Sequence, residues 1–139
     1  MIKVFFDASV LFSAIYSDKG ASRKLVTLVK SHTIIGITSQ TVIEELERNI
    51  EKFKRETNTE IHTFIAVHDI LVRKVIESDE LEPYQGLVEE KDAHVVAGAI
   101  QTSSDYLVTL DKKHLNNNEV KKKIKLTLIL SPAELLLQI

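Results

Sequence analysis

The sequence predicts an α/β fold of three layers, α/β/α, around a central parallel sheet of about four to five strands. Short, apolar, β-prone runs such as Val4-Phe5-Phe6 and Ile34-Ile35-Gly36-Ile37 alternate with segments whose apolar residues recur every three or four positions. No tight hairpin turn joins one strand candidate to the next, so helices must carry the crossovers and the strands must run parallel. A length of 139 residues with 44% hydrophobic content suits one domain, residues 1–139, with a single core.

Val4-Phe5-Phe6 is apolar on both faces, as a central strand covered on both sides requires, and it delivers Asp7 to its carboxyl end. Residues 8–16 read as a helix, 17–20 as a turn, and 21–30 as a helix burying Leu25, Val26, Leu28 and Val29. Residues 33–37 give the next strand. Ser39 then caps a long helix reaching about Arg55, with Ile43, Leu46, Ile50 and Phe53 on its apolar face. After a break at Thr57-Asn58-Thr59, a second helix carries Ile61, Phe64, Ile65, His68, Leu71, Val72, Val75 and Ile76 in one stripe, so the pair reads as a helical hairpin. Residues 78–86, acidic and holding Pro83 and Gly86, read as a flexible loop.

Helical spacing returns over residues 89–103, and strands are expected at 105–110 and 126–130. Ser131-Pro132-Ala133-Glu134 opens a last helix with a Ser cap, Pro in the first turn and Glu three residues after the cap. Its Leu135, Leu136, Leu137 and Ile139 must be buried on the sheet or on a partner. Right-handed crossovers put the Val4 strand in the centre, the Ile34 strand on one side, the Leu107 strand on the other and the Leu128 strand outermost. The order reverses between the Val4 and Leu107 strands, and ligands of open α/β sheets bind beyond the strand ends at such a point.

A net charge of -2 requires any nucleic-acid binding to come from a local basic patch. With no cysteine, disulfides, thiolate metal sites and a Cys nucleophile are excluded. Met1-Ile2-Lys3 leads straight into a strand, and no apolar run reaches the roughly 20 residues of a membrane helix, so a cytoplasmic protein is expected.

Asp7 and Asp111 follow the two strands that flank the switch point, although each also reads as an ordinary helix cap. Asp92 carries more information, because Val95, Val96, Ala99 and Ile100 follow it at three, four, seven and eight residues and so align it with an apolar stripe. A carboxylate there needs a partner, a metal, or a place at the exposed end of the stripe, where the helix dipole also favours an acid. On the long helix, Glu45 falls about 110° from the centre of the apolar face and Glu44 about 150°. Glu47 sits at a similar angle on the opposite flank, so periodicity leaves the choice between Glu45 and Glu47 open.

Convergence of Asp7, Glu45, Asp92 and Asp111 would be electrostatically costly: two unit charges about 5 Å apart repel by roughly 3 kcal/mol at an effective dielectric of 20. Such a cluster either takes up protons or holds a cation. All-oxygen ligands suit a hard ion, Mg²⁺ or Mn²⁺, and with it phosphodiester hydrolysis.

The segments VFFDASVL, TVIEELERNI, KDAHVVAGAI and DYLVTLDKKHL, around Asp7, Glu45, Asp92 and Asp111, resemble the PIN-domain ribonucleases, which include the toxins of toxin-antitoxin pairs. The resemblance spans nearly the whole chain in the family's order. It implies a parallel-sheet fold, RNA cleavage with Mg²⁺ or Mn²⁺ held by these four acids, a small antitoxin protein as partner, and a homodimer. The family places its Glu before an apolar residue, here Glu45 before Leu46. Ser9 and Thr109 fall where it often has hydroxyls that orient a ligand, though local caps and strand polarity explain them equally well. The helical hairpin over residues 39–76 looks longer than in the smallest toxins of the family.

Other readings are weaker. A haloacid-dehalogenase-like phosphatase wants a second Asp two residues after the first, and Ser9 stands there; a receiver domain wants an adjacent acidic pair, and Asp7 is alone. A non-catalytic PIN-like module for RNA or protein has no electrostatic reason to keep four acids together. Lys112, Lys113 and His114, with Lys121, Lys122, Lys123 and Lys125, read as a solvated face or as a phosphate-contacting rim. Arg48, Lys52 and Arg55 pair at helical spacing with Glu44, Glu47 and Glu51, and read as surface. His68 reads as packed, while His32, His62 and His94 show no ligand spacing.

Overall fold

In the computed structural model, which describes residues 1–52 and 58–139, one parallel sheet contains β1 (Lys3–Phe6), β2 (Ile35–Ser39), β3 (Leu71–Arg73), β4 (Tyr106–Val108) and β5 (Leu128–Leu130). The strand order is β3-β2-β1-β4-β5, so the direction of winding reverses between β1 and β4. The helices are α1 (Ala8–Tyr16), α2 (Ala21–Lys30), α3 (Gln40–Lys52), α4 (Asn58–Val67), α5 (Ser78–Leu81), α6 (Ala93–Gln101), α7 (Asn118–Lys123) and α8 (Pro132–Leu136). Among the described residues no helix is long and apolar enough to cross a membrane.

β1 is the centre because it is the strand that both faces can bury. Phe5 and Phe6 point to opposite sides and are fully buried, each contributing about 1.5–3 kcal/mol by area. Two glycines let the helices approach on either side. A Cβ at Gly36 on β2 would lie 2.6 Å from Val29 of α2, and one at Gly98 on α6 would lie 2.6 Å from the ring of Phe5. α2 therefore packs on the Phe6 face and α6 on the Phe5 face, which gives the three layers.

Several expectations need correcting. The second helix of the expected hairpin ends at Val67, and Leu71–Arg73 instead extends the sheet in parallel with β2. Asp69 takes a left-handed φ of 58° and the Ile70 amide bonds back to Ile65, which closes the helix. Beyond that point Leu71, Val72 and Val75 are exposed and Ile76 is buried, so the stripe does not continue as one helical face past Ile65. Phe53, Arg55 and Thr57 lie outside the described residues. The stretch read as a loop contains α5, with a Glu77–Glu80 capping box, and a 3-10 turn at Glu82–Tyr84. Arg73 pairs with Glu80 and ties this segment to the end of β3.

At the amino end of α6, residues Glu90–Asp92 form a separate 3-10 turn, so the helix starts at Ala93. Ser39 does cap α3, its Oγ accepting from the Val42 amide at 3.1 Å, and Ser131 forms the expected capping box with Glu134. α8 buries Leu135 and packs against α2, but Leu137 is 89% exposed because the helix stops at Leu136.

Candidate metal centre at the carboxyl edge of the sheet

Asp7 stands where β1 becomes α1, and it is only 6% exposed. Its Oδ1 accepts from the Ala8 amide at 2.8 Å, as a cap would. Its Oδ2 accepts from two hydroxyls, Thr109 at 2.7 Å and Ser9 at 3.0 Å. Both hydroxyls are themselves held by the end of β4: the Asp111 amide donates to Thr109 Oγ1 and the Leu110 amide to Ser9 Oγ, each at 3.1 Å. The two strand ends that flank the switch point are thus stitched together through Asp7. Burial pushes its carboxyl above the ordinary value, the Thr109 bond opposes this, and the charge of Glu45 adds to the rise.

Glu45 projects from α3 towards α6, where His94 Nε2 lies 3.0 Å from its Oε1. Glu47 points the other way, to His62 of α4 at 3.5 Å, so the flank that periodicity left open is assigned by packing. Asp92 occupies the cap position of α6 without making a capping bond, and its Oδ2 is buried with no hydrogen-bond partner among the described residues. A plain helix-start acid would have spent that oxygen on a backbone amide. Burial first, then the charges of Asp7, Asp111 and Glu45, partly offset by Lys91, raise Asp92 to a pKa of about 6.

Asp111 lies beside Asp92, and single ligand atoms of Asp92, Asp111 and His114 come within 4.8 Å of one another. Burial would raise Asp111, but the amide of His114 (2.9 Å) and its Nδ1 (3.2 Å) outweigh this and hold the carboxyl below its ordinary value. The fold therefore brings Asp7, Glu45, Asp92 and Asp111 into one electrostatically coupled group. A cluster with one orphaned buried oxygen and one carboxyl raised to about 6 by burial and neighbouring negative charge is short of positive charge, and its carboxylate donors fit a divalent ion.

Two histidines were missed from sequence. His94 lies between buried Ala93 and Val95 and shows no spacing signal; only the packing of α3 against α6 puts it on Glu45. His114 read as part of a basic run, yet it follows Asp111 by three residues, a separation at which a side chain can cap a turn and return to the acid. Lys113 and Lys123, from the same runs, face a cavity beside this centre.

The VapBC2 complex from Rickettsia felis, solved bound to a DNA fragment from its promoter, contains a chain similar at a TM-score of 0.65 and 17% identity over 94% of this chain and 98% of that one. The Mycobacterium tuberculosis toxin VapC20, described as cleaving the sarcin-ricin loop, is similar at a TM-score of 0.56 and 15% identity over 79% of this chain and 91% of its own. No curated protein matches the sequence. At these identities the likeness is one of fold, but the family profile described as PIN domain matches residues 3–113, from the first strand through the turn after Asp111. The chain belongs to the PIN-domain family.

Proposed function

We propose that this protein is a metal-dependent endoribonuclease that hydrolyses RNA phosphodiester bonds in the cytoplasm as the toxin of a toxin-antitoxin pair. The observation that supports this is the approach of Asp92 and Asp111 to one another at the sheet's switch point, with the charges of Asp7 and Glu45 acting on Asp92 and its Oδ2 buried and unpartnered among the described residues. Asp7, Glu45, Asp92 and Asp111 are the residues that would hold Mg²⁺ or Mn²⁺. When bound, the ion shields the phosphate and supplies a water of lowered pKa. Ser9 and Thr109 fix the Asp7 carboxylate, His94 fixes Glu45, and His114 fixes Asp111, so the oxygens are aimed before any substrate arrives. Likeness of fold to the VapBC2 and VapC20 chains supports a small antitoxin as partner and RNA as substrate. A homodimer is the assembly this reading carries.

The decisive experiment incubates single-stranded RNA with the protein and Mn²⁺. Cleavage that stops with EDTA and is absent from a folded Asp7→Asn variant is the expected result. Wild-type rates from folded Asp7→Asn would overturn the assignment. The toxin role predicts growth arrest on expression, relieved by co-expression of a small antitoxin protein, and light scattering gives the assembly mass.

A further inference from the structure

Asp111 and His114 belong to one turn. The His114 amide donates to Asp111 Oδ1 at 2.9 Å, and its ring lies beside the same carboxylate, with Nδ1 3.2 Å from Oδ2. Two possible ligands are thus preset by local backbone and need little further ordering. Asp92 approaches them from the start of α6, with its Oδ2 buried and unpartnered among the described residues. Single ligand atoms of Asp92, Asp111 and His114 all lie within 4.8 Å of one another, and among the described residues this is the group close enough to hold one ion together. We propose that His114 is itself a ligand of the metal ion, through Nδ1 beside Asp92 and Asp111, and that it turns the centre's preference from Mg²⁺ towards Mn²⁺ and, more strongly, Ni²⁺.

The distances suit coordination as well as they suit a hydrogen bond. With bonds of about 2.1 Å, neighbouring ligands of an octahedral ion stand about 3.0 Å apart and opposite ones about 4.2 Å apart. The 3.2 Å between Nδ1 and Oδ2 is close to the first of these, and the group as a whole is close to the second. Without an ion the Nδ1 proton bridges to Asp111; with one, the neutral ring carries that proton on Nε2 and offers the Nδ1 lone pair. Four acids alone make an all-oxygen set, which Mg²⁺ accepts together with waters. An imidazole changes that balance, because it binds the later first-row ions more tightly, in the order Mn²⁺ below Co²⁺ below Ni²⁺. His94, the other histidine of the centre, meets Glu45 at 3.0 Å and stands outside the group of three.

This inference rests on the metal-dependent reading for the presence of an ion, but it is tested without RNA. The protein is frozen with saturating Mn²⁺ and its electron spin-echo envelope recorded; a coordinated imidazole nitrogen modulates the echo, and oxygen ligands do not. Wild type and His94→Ala should show the nitrogen modulation, and His114→Ala should lose it. That last variant keeps the backbone amide that closes the turn on Asp111. By calorimetry it should bind Ni²⁺ about tenfold or more weakly than wild type does, and Mg²⁺ within about twofold. A ring that only positions Asp111 would weaken both ions alike. Wild type without nitrogen modulation, modulation that survives in His114→Ala, or equal losses for the two ions overturns the assignment. Should His114→Ala not fold, wild type against His94→Ala decides, and loss of the modulation in His94→Ala overturns it. RNA cleaved by Mn²⁺-loaded wild type that shows no modulation removes the ligand and keeps the nuclease; modulation without any RNA cleavage does the reverse.

Discussion

Thr109 Oγ1 donates to Asp7 Oδ2 at 2.7 Å while accepting the Asp111 amide at 3.1 Å, so one buried hydroxyl joins the first of the four candidate acids to the backbone of the last. Thr109→Val keeps the shape and removes both bonds, leaving a carboxylate oxygen and an amide short of a partner. A loss of about 1–3 kcal/mol is expected in urea unfolding, with weaker Mn²⁺ binding by calorimetry. Thr109→Ser should keep most of both. If the Val variant binds Mn²⁺ as wild type does, the hydroxyl has no part in aiming Asp7.

The centre should respond to pH through Asp92. Its folded pKa of about 6 lies above the roughly 3.9 of an unfolded Asp. The folded state then holds the proton more tightly, so the stability from Asp92 is full below about pH 4 and is lost as pH rises through about 6. In EDTA the Tm should fall over that interval. Mn²⁺ binding should strengthen over the same interval, because the ion and the proton compete for the same oxygens. Asp92→Asn should flatten both trends and raise the apo Tm near neutrality; an Asn variant with the wild-type pH profile would count against this origin.

His94 contacts Glu45 at 3.0 Å, and the proposed function makes it a positioning residue. His94→Ala should lower Mn²⁺ affinity by about 10–100-fold with an unchanged circular dichroism spectrum. Affinity equal to wild type would make the contact a packing detail.

Gly98 tests whether packing sets the geometry of the centre. In a helix Ala is favoured over Gly by about 1 kcal/mol, yet the new Cβ would stand 2.6 Å from the Phe5 ring. Gly98→Ala should destabilise by about 1–3 kcal/mol from overpacking. By pushing α6 off β1 it should also weaken Mn²⁺ binding, since Asp92 and Asp7 sit at the ends of those two elements. A variant more stable than wild type, measured by thermal unfolding, would show that Phe5 can move.

Most of the architecture was legible because local signals agreed with one another. The bounds of α1 and α2 followed from apolar spacing, and α8 from its Ser-Pro-Ala-Glu start. β3 was not legible, since Leu71, Val72 and Val75 continue a helical stripe by coincidence and only the open edge of β2 gives Leu71 and Val72 a strand partner. A three-residue edge strand has too few side chains to announce itself against that pattern.

By itself the sequence determined that β1 would be central, that Asp7 and Asp111 would leave neighbouring strands at the switch point, and that Asp92 would stand at the start of an apolar helix. Those follow from local pattern along the chain together with the right-handed crossovers that such a pattern imposes. The tertiary structure alone decided that packing sends Glu47 to His62, that His94 contacts Glu45, and that Asp92 keeps one oxygen buried without a partner among the described residues. These depend on how α3 and α6 turn against each other and against β1, which is set by contacts such as Gly98 on Phe5 between residues far apart in the chain.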